Sequence, residues 1–348
     1  MRLIPAVVAA ALLTSFGGSA SAATGGDTPT RLEQLAREIL APSPGRSVDV
    51  AYVDSSGITR AHLGEGDAGE YEIGSITKTF TAQLFSVAID RAEVRADTRL
   101  GELLPVQGTA VADVTLEALA GHRSGLLEFA ATPDMVAGGV EWKVNGRNPF
   151  TFNREELLAH ARVAPLIGRG SFRYSTLGYA LLGQALAAAA HTDYPTLANA
   201  RIVEPLGLDD TWIPGTNADL PADVSTGVDE SGRPQEPWAI DAYAPAGGAR
   251  STLADMAAYA QALIRGDAPG SAALQPRWSD APTLRRGYGW GIAAIDGVDY
   301  TMHAGGTGGF SGNIVLDRTN GVALVVLQDT AANRERSAVD LLRRMREG

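Results

Sequence analysis

Hydrophobic and polar residues alternate near both ends of the chain. The alternation runs on either side of Asp54-Ser55-Ser56-Gly57 in "SVDVAYVDSSGITRAHLGEG", which predicts a β-hairpin with a tight turn. Near the other end, "GNIVLDRTNGVALVVLQD" predicts a second hairpin that turns at residues 319–321. Two more candidate strands, "GYGWGIAAIDG" and "VDYTMHAG", precede it. With strands at both ends and helices between, we expect the N- and C-terminal parts to pair in one antiparallel sheet.

Other segments have apolar residues at helical spacing. Residues 31–40 form a predicted N-terminal helix, and "ANRERSAVDLLRRMRE" a closing one. "SITKTFTAQLFSVAIDRAEV" is a long helical stretch with Ile76, Phe80 and Leu84 on one face and Ser75 at its start. A further helix is predicted in "STLADMAAYAQALIRG".

The middle of the chain, from about 99 to 235, has short helical segments separated by loops rich in Gly, Pro and Asn. Its most apolar helix, "TLGYALLGQALAAAAH", has an apolar face too wide for a surface helix and should be buried. The pattern predicts an α/β (α+β) fold in which an antiparallel sheet is flanked by N- and C-terminal helices and an all-helical subdomain is inserted. The sheet part would comprise about 28–98 and 236–348, and the helical part about 99–235.

Residues 1–23 have the features of a secretory signal peptide. Arg2 is followed by an apolar run from Ile4 to Leu13, and Ala20-Ser21-Ala22 fits an A-x-A cleavage site. The alternative, a retained membrane anchor, requires roughly 18 or more apolar residues, and this run is shorter. We therefore expect an exported protein, periplasmic or extracellular, whose folded domain comprises residues 28–348.

The composition of the chain excludes several kinds of catalytic site and binding partner. The chain has no cysteine, which excludes thiol catalysis and zinc–thiolate sites. Its net charge of −11 and its lack of a basic cluster argue against nucleic acid as a partner. After the signal peptide no apolar run is long enough to span a bilayer, and no metal or nucleotide motif occurs. We predict no cofactor and no metal.

Lysine is scarce in this chain. Of 29 Lys and Arg residues only two, Lys78 and Lys143, are lysine. Arginine cannot lose its proton in a protein, whereas a buried lysine can, so a position that acts as a base would keep lysine. Lys78 lies three residues after Ser75, one helical turn away, and could activate the serine hydroxyl. The alternative is a helix-capping serine beside an exposed lysine.

Two further segments favour a catalytic role for Ser75 and Lys78 over a structural one. Together with Ser75-Ile76-Thr77-Lys78, the stretches Tyr174-Ser175-Thr176 and His303-Ala304-Gly305 form an ordered set of motifs. On these motifs the chain resembles the penicillin-recognising serine hydrolases: class C β-lactamases, D-alanyl-D-alanine carboxypeptidases, and related esterases and D-amino-acid amidases. Lesser features, such as "LAGHRSGL" and "PAGGARSTLADMAAYAQAL", extend the resemblance over about residues 30–345.

The resemblance implies a role for each motif. Ser75 would be the acylating nucleophile, Lys78 its general base or proton relay, and Tyr174 the group that passes a proton to the leaving group. The N–H of Ser75, with one from the strand after His303 (Ala304, Gly305 and Gly306), would form the oxyanion hole. His303 takes the place of the lysine in the KTG box of β-lactamases.

One departure from the family pattern affects the substrate. Thr176 stands where β-lactamases have asparagine, and a hydroxyl cannot reproduce the donor and acceptor of an amide. The sequence therefore favours a small ester or D-amino-acid peptide as substrate over efficient β-lactam hydrolysis. A true class C-like β-lactamase and a non-catalytic penicillin- or peptidoglycan-binding module are the alternatives.

The remaining histidines and the tryptophans of the middle loops have less specific expectations. His62, His122, His160 and His191 are expected in turn or surface contexts without a catalytic role, His122 being the best candidate for a structural hydrogen bond. Trp142, Trp212 and Trp238 could line the pocket or pack in the core. An α/β-hydrolase is disfavoured because the G-x-S-x-G elbow is missing.

Overall fold

A computed structural model describes residues 28–41, 46–65 and 69–347. Its largest element is an antiparallel sheet with the strand order β2-β1-β10-β9-β8-β7-β6-β5, and β3 pairs separately with β4. The strands are β1 (Ser47–Asp54), β2 (Gly57–Gly64), β3 (Tyr71–Glu72), β4 (Arg250–Ser251), β5 (Trp278–Ala281), β6 (Leu284–Arg286), β7 (Gly291–Ile295), β8 (Val298–Gly306), β9 (Ser311–Asp317) and β10 (Val322–Gln328). The predicted signal peptide lies outside the described residues.

Helices cover the sheet and fill the middle of the chain. The α-helices are α1 (Thr28–Leu40), α2 (Thr77–Asp90), α3 (Leu100–Leu103), α4 (Leu116–Ala120), α5 (Pro133–Asn145), α6 (Arg154–Val163), α7 (Thr176–Ala189), α8 (Tyr194–Ala198), α9 (Ala244–Gly247), α10 (Leu253–Arg265) and α11 (Glu335–Arg346). Within the described ranges, no helix combines the length and the apolar character that crossing a membrane requires.

Strands from the two ends of the chain pair near one edge of the sheet. β1 lies between β2 and β10, and Val48 is paired with Gln328 across the β1–β10 ladder. Both predicted hairpins form, at residues 54–57 and 318–321. The predicted fold class, a β-lactamase-like antiparallel sheet flanked by the terminal helices, is confirmed.

Alternate residues of the central strands face two different cores, as the strand period of two requires. On β10, Leu324 and Val326 pack with the terminal helices α1 and α11. Val325 and Leu327 point the other way, into the core that contains α2, α7 and α10. The second core also contains helix α2, which begins two residues after Ser75.

The helix α7 is buried in the second core, as its wide apolar face predicted. Leu177, Tyr179, Leu181 and Leu182 are inaccessible to solvent. Its first turn is capped by Ser175, whose Oγ accepts a hydrogen bond from Gly178 N at 2.9 Å. Tyr174 therefore stands at a fixed point, two residues before the helix begins.

Several short elements differ from the sequence prediction. The strand expected from "GYGWGIAAIDG" begins only at Gly291, because Gly287–Trp290 form a turn in which Gly287 N donates to Trp290 O. β5, β6 and the β3–β4 pair are two to four residues long, too short for a periodic signal. Helix α5 was also missed, since Met135 is its one buried side chain and an apolar face is absent.

Candidate active site

Ser75 and Lys78 meet at the start of helix α2. Ser75 lies in a 3₁₀ turn, Gly74–Ile76, and Lys78 in the first turn of the α-helix that follows. Lys78 Nζ lies 3.0 Å from Ser75 Oγ and donates a second hydrogen bond to Ala246 O at 2.5 Å. The amine thus contacts the hydroxyl directly, in a geometry suited to proton transfer.

Burial sets the charge of Lys78. The side chain is completely inaccessible to solvent. Loss of hydration lowers the pKa of the amine to about 7, and the negative charge of Glu128 partly opposes this fall. Near neutral pH a large fraction of Lys78 is therefore uncharged and able to accept a proton. The alternative of an exposed lysine beside a capping serine is wrong.

Tyr174 completes a three-residue cluster. Its hydroxyl hydrogen-bonds with Ser75, and Lys78 Nζ lies 5.0 Å from the centre of its ring. Burial raises the pKa of Tyr174 well above its ordinary value. The phenol is protonated at neutral pH, so Lys78 is the stronger candidate for the resting base and Tyr174 for a proton donor or relay.

Strand β8 packs its backbone against the turn that carries Ser75. A Cβ added to Gly305 would lie 2.0 Å from Ile73 O, and one added to Gly74 would lie 2.5 Å from Gly306 N. Gly74 also has a φ of +51°, a conformation that glycine adopts readily. The absence of side chains at these positions lets the Gly306 amide approach the residue next to Ser75.

His303 is neutral in this site. Burial and the neighbouring charge of Lys78 lower the pKa of its ring to about 3. Its Nδ1 lies 2.7 Å from Ala304 O, which keeps the ring against its own strand. The position that holds a lysine in the KTG box is thus uncharged here.

His122 and Glu128 support the second motif, and neither is among the site residues predicted from the sequence. His122 Nδ1 accepts a hydrogen bond from Ser175 N at 3.0 Å, and its ring stacks on Tyr174 with centroids 4.5 Å apart. Glu128 O accepts hydrogen bonds from the N–H groups of Thr176 and Leu177, both at 3.0 Å.

The predicted setting, in a turn or at the surface, is wrong for His160, which is buried in helix α6, whereas His122 lies in a turn and forms the structural hydrogen bond predicted for it. His122 and His160 are both buried. His160 contacts Asp134 and Tyr243 through its two ring nitrogens. The position of Glu128, a charged residue within the apolar run "LLEFAA" just after H-x-S-G-L, was a signal that could have marked it.

The segment before Ser75 is anchored by a buried ion pair. Arg250 on β4 is fully buried and donates to Glu72 on β3 at 2.8 Å and to Glu70 at 2.5 Å. Glu72 also accepts a hydrogen bond from Trp238 N at 2.7 Å. Trp238 is buried, while Trp142 and Trp212 are partly exposed. The two-stranded β3–β4 ladder therefore fixes the approach of the chain to the nucleophile turn.

A serine hydroxyl in contact with a buried lysine, beside a partly buried tyrosine and on an antiparallel sheet of this topology, defines a serine hydrolase. The sequence matches the family described as Beta-lactamase over residues 70–346. The chain belongs to this family of penicillin-recognising serine hydrolases.

Relatives and solved structures agree with the family. The chain is 28% identical to penicillin-binding protein 4 of Amycolatopsis lactamdurans over 288 residues, 71% of this chain and 70% of that protein. It is 40% identical over 94 residues to human putative beta-lactamase-like 1, covering 27% of this chain and 19% of the human protein.

Two solved structures share the fold over almost their whole length. The class C β-lactamase of Rhodobacter sphaeroides has a TM-score of 0.74 at 19% identity, with 91% of this chain and 99% of that chain covered. The β-lactamase/D-alanine carboxypeptidase of Pseudomonas syringae has a TM-score of 0.76 at 17% identity, with 92% and 99% covered.

Proposed function

We propose that this protein is an exported serine hydrolase that acts through a Ser75 acyl-enzyme on a small ester or D-amino-acid peptide. The observation that carries the proposal is the 3.0 Å contact between Ser75 Oγ and the buried amine of Lys78. A serine hydroxyl is a weak nucleophile until a base removes its proton, and Lys78 has a pKa close to neutral pH.

In the acylation step, Ser75 Oγ attacks the substrate carbonyl while its proton moves to Lys78. The bond from Oγ to the acyl carbon forms as the carbonyl π bond opens to an oxyanion. N–H groups of Ser75 and Gly306 would stabilise this oxyanion, at about 3 kcal/mol for each donor. When the oxyanion collapses, the leaving group departs with a proton supplied by Tyr174, which is replenished from Lys78.

Deacylation repeats the sequence with water as the nucleophile. Tyr174 and Lys78 accept the proton of the attacking water, and Ser75 recovers its own proton as the acyl product leaves. All the proton transfers of this scheme take place between the three side chains, the substrate and water, while the backbone N–H groups stabilise the oxyanion.

Two features favour an ester or peptide over a β-lactam substrate. Thr176 replaces the asparagine of β-lactamases, and His303 is uncharged where the KTG box has lysine. Both changes remove groups that a β-lactam side chain or carboxylate could use. The similarity to penicillin-binding protein 4 makes slow acylation by penicillin the second candidate activity.

Hydrolysis of a p-nitrophenyl ester panel by wild type and Ser75→Ala tests the proposal. We expect activity to be lost in the variant, and intact mass after exposure to benzylpenicillin to report any adduct on the wild type alone. Equal activity of the two proteins, with no adduct, would remove Ser75 from the mechanism and favour the non-catalytic binding module.

Export is tested separately. The N-terminal sequence of the protein recovered from the medium or the periplasm should begin close after Ala22. Recovery of the uncleaved chain in the membrane fraction would instead indicate a retained anchor.

A further inference from the structure

His122 is bonded to the chain on both sides of Tyr174. Its carbonyl oxygen accepts a hydrogen bond from Arg173 N at 2.7 Å, and its Nδ1 accepts one from Ser175 N at 3.0 Å. The residues immediately before and after Tyr174 are therefore held by one residue of a different loop. The backbone that carries the phenol has little freedom to shift as long as both bonds are present.

The side chains of His122 and Tyr174 are also in contact. Their rings are stacked, with centroids 4.5 Å apart and 31° between the planes. The His122 ring also lies 4.7 Å from the ring of Tyr179 and, nearly perpendicular, 5.8 Å from that of Phe172. Tyr179 is itself fully buried and donates to Ala120 O at 2.7 Å. The imidazole is thus packed among fixed rings and can hold the phenol of Tyr174 in one orientation.

Two features of His122 cost free energy. Its φ is +55°, in the left-handed region that residues other than glycine adopt rarely. Burial, together with the nearby charge of Lys78, lowers the pKa of its ring well below the ordinary value, so the ring is neutral. Because Nδ1 accepts the bond from Ser175 N, the ring proton is on Nε2. That N–H is buried and has no hydrogen-bond partner in the part of the chain that the structure describes. Strain and an unpaired donor at one residue are typical of a functional constraint.

We propose that His122 is a positioning residue for proton donation by Tyr174, and that substrates depend on it in proportion to the need of their leaving group for a proton. This inference rests on the proposed hydrolase function and deepens it. In that mechanism the O–H bond of Tyr174 breaks as its proton moves to the leaving oxygen, the bond from that oxygen to the acyl carbon breaks, and Lys78 returns a proton to the phenol. Attack by Ser75 uses Lys78 as its base. A displaced phenol should therefore slow departure of the leaving group and not the attack.

The test compares two esters that differ by one nitro group. p-Nitrophenolate departs as a stable anion, whereas the more basic phenoxide gains from protonation as it leaves. The readout is the ratio of kcat/KM for phenyl acetate to kcat/KM for p-nitrophenyl acetate. The acyl group is the same in both, and kcat/KM reports the steps up to acylation, so a role of Tyr174 in deacylation does not enter the ratio.

The variant is His122→Asn, because asparagine tolerates a positive φ and removes the ring. Its matched control is His160→Asn, the same exchange at a second buried histidine, which contacts the hydroxyl of Tyr243 at 3.1 Å. Glycine adopts a φ of +55° without strain, so His122→Gly provides the same comparison if His122→Asn does not fold.

We expect the phenyl-to-nitrophenyl ratio to fall about tenfold in His122→Asn, part of the roughly 10²–10⁴-fold that a positioned proton donor contributes. His160→Asn should keep the wild-type ratio even if its melting temperature falls. An unchanged ratio in His122→Asn overturns the inference. This includes an equal loss for both esters, because His122 would then act through the fold or through Lys78.

A double variant shows whether His122 acts through Tyr174. Tyr174→Phe should lower the ratio by itself, and His122→Asn should lower it no further in the Tyr174→Phe background. A wild-type ratio in Tyr174→Phe, or a second fall of similar size in the double variant, contradicts the inference, since the effect of His122 would then not depend on the phenol.

Hydrogen exchange without substrate separates this inference from the proposed function. The amide proton of Ser175 should exchange faster in His122→Asn than in wild type, because it loses its acceptor, and should be unchanged in His160→Asn. If Ser75→Ala hydrolyses both esters as wild type does, the proposed function fails, and exchange alone decides whether His122 holds the segment around Tyr174. Equal exchange in wild type and His122→Asn contradicts the inference whatever the activity.

Discussion

Replacement of Lys78 by methionine should change the stability of the protein in a pH-dependent way. The side chain is fully buried, and its pKa falls from 10.5 to about 7 in the folded state. Because the unfolded chain binds this proton more tightly, protonation of Lys78 opposes folding. The penalty is fully present below about pH 7, decreases as the pH rises through the window from 7 to 10.5, and is absent above it.

The magnitude follows from the pKa change. At about 1.4 kcal/mol per pKa unit, the fall corresponds to about 5 kcal/mol. Methionine fills a similar volume without the charge, but it loses the hydrogen bonds to Ser75 Oγ and Ala246 O, which together contribute about 2 kcal/mol or somewhat more. Lys78→Met should therefore be more stable than wild type by about 2–3 kcal/mol near pH 6, and less stable near pH 10.5.

Urea unfolding monitored by circular dichroism at intervals between pH 6 and 10.5 gives the difference in unfolding free energy. Lys143→Met is the matched control, since Lys143 is the other lysine and is exposed. Its difference from wild type should stay close to zero throughout. A Lys78→Met difference that does not vary with pH would refute the argument, because Lys78 would then have an ordinary pKa.

Three further predictions concern the site and its support. The kcat/KM of wild type should rise as Lys78 loses its proton near pH 7. In Glu128→Gln this rise should move to lower pH, because the negative charge of Glu128 raises the pKa of Lys78. A rise at unchanged pH in steady-state assays would count against an effect of Glu128 on Lys78. Gly74→Ala should lower both the rate of ester hydrolysis and the melting temperature. Alanine at a φ of +51° costs about 1–3 kcal/mol, and its methyl group would collide with the backbone of β8. Wild-type values for both would show that the turn at residues 74–76 can move away from β8. Arg250→Ala should cost about 3–5 kcal/mol of unfolding free energy in urea titrations, because it leaves the buried carboxylate of Glu72 unpaired, and a loss below about 1 kcal/mol would place the Arg250–Glu72 pair in contact with water.

The parts of the fold that could be predicted are those with a periodic pattern. The hairpins at both ends and helices α1, α7, α10 and α11 each bury one face or all of their surface, and the burial leaves its period in the sequence. The short strands β3 and β4 bury two residues each and owe their conformation to Arg250 and its carboxylate partners. No local pattern encodes such a contact, because its partners are far apart in the chain.

The candidate site also has features that the sequence predicts and features that it does not. Lys78 could be proposed as a base because lysine is scarce and because it lies one turn from Ser75, both of which are local properties. The neutral state of His303 and the presence of Glu128 in the cleft depend on burial and on bonds between the loop at 127–128 and residues 175–177. These follow from tertiary packing, which a single sequence does not express.

The packing of β8 against the turn that carries Ser75 has a consequence for the synthesis of the protein. The turn that carries Ser75 is complete only when β8 packs against Ile73 and Gly74, and β8 is itself held between β7 and β9. A chain emerging from the ribosome therefore contains Ser75 long before it has the strands that shape the candidate site. Contacts between such distant segments also slow folding. Nascent chains that stop before β9 should be inert, so hydrolysis can begin only after almost the entire polypeptide has been released.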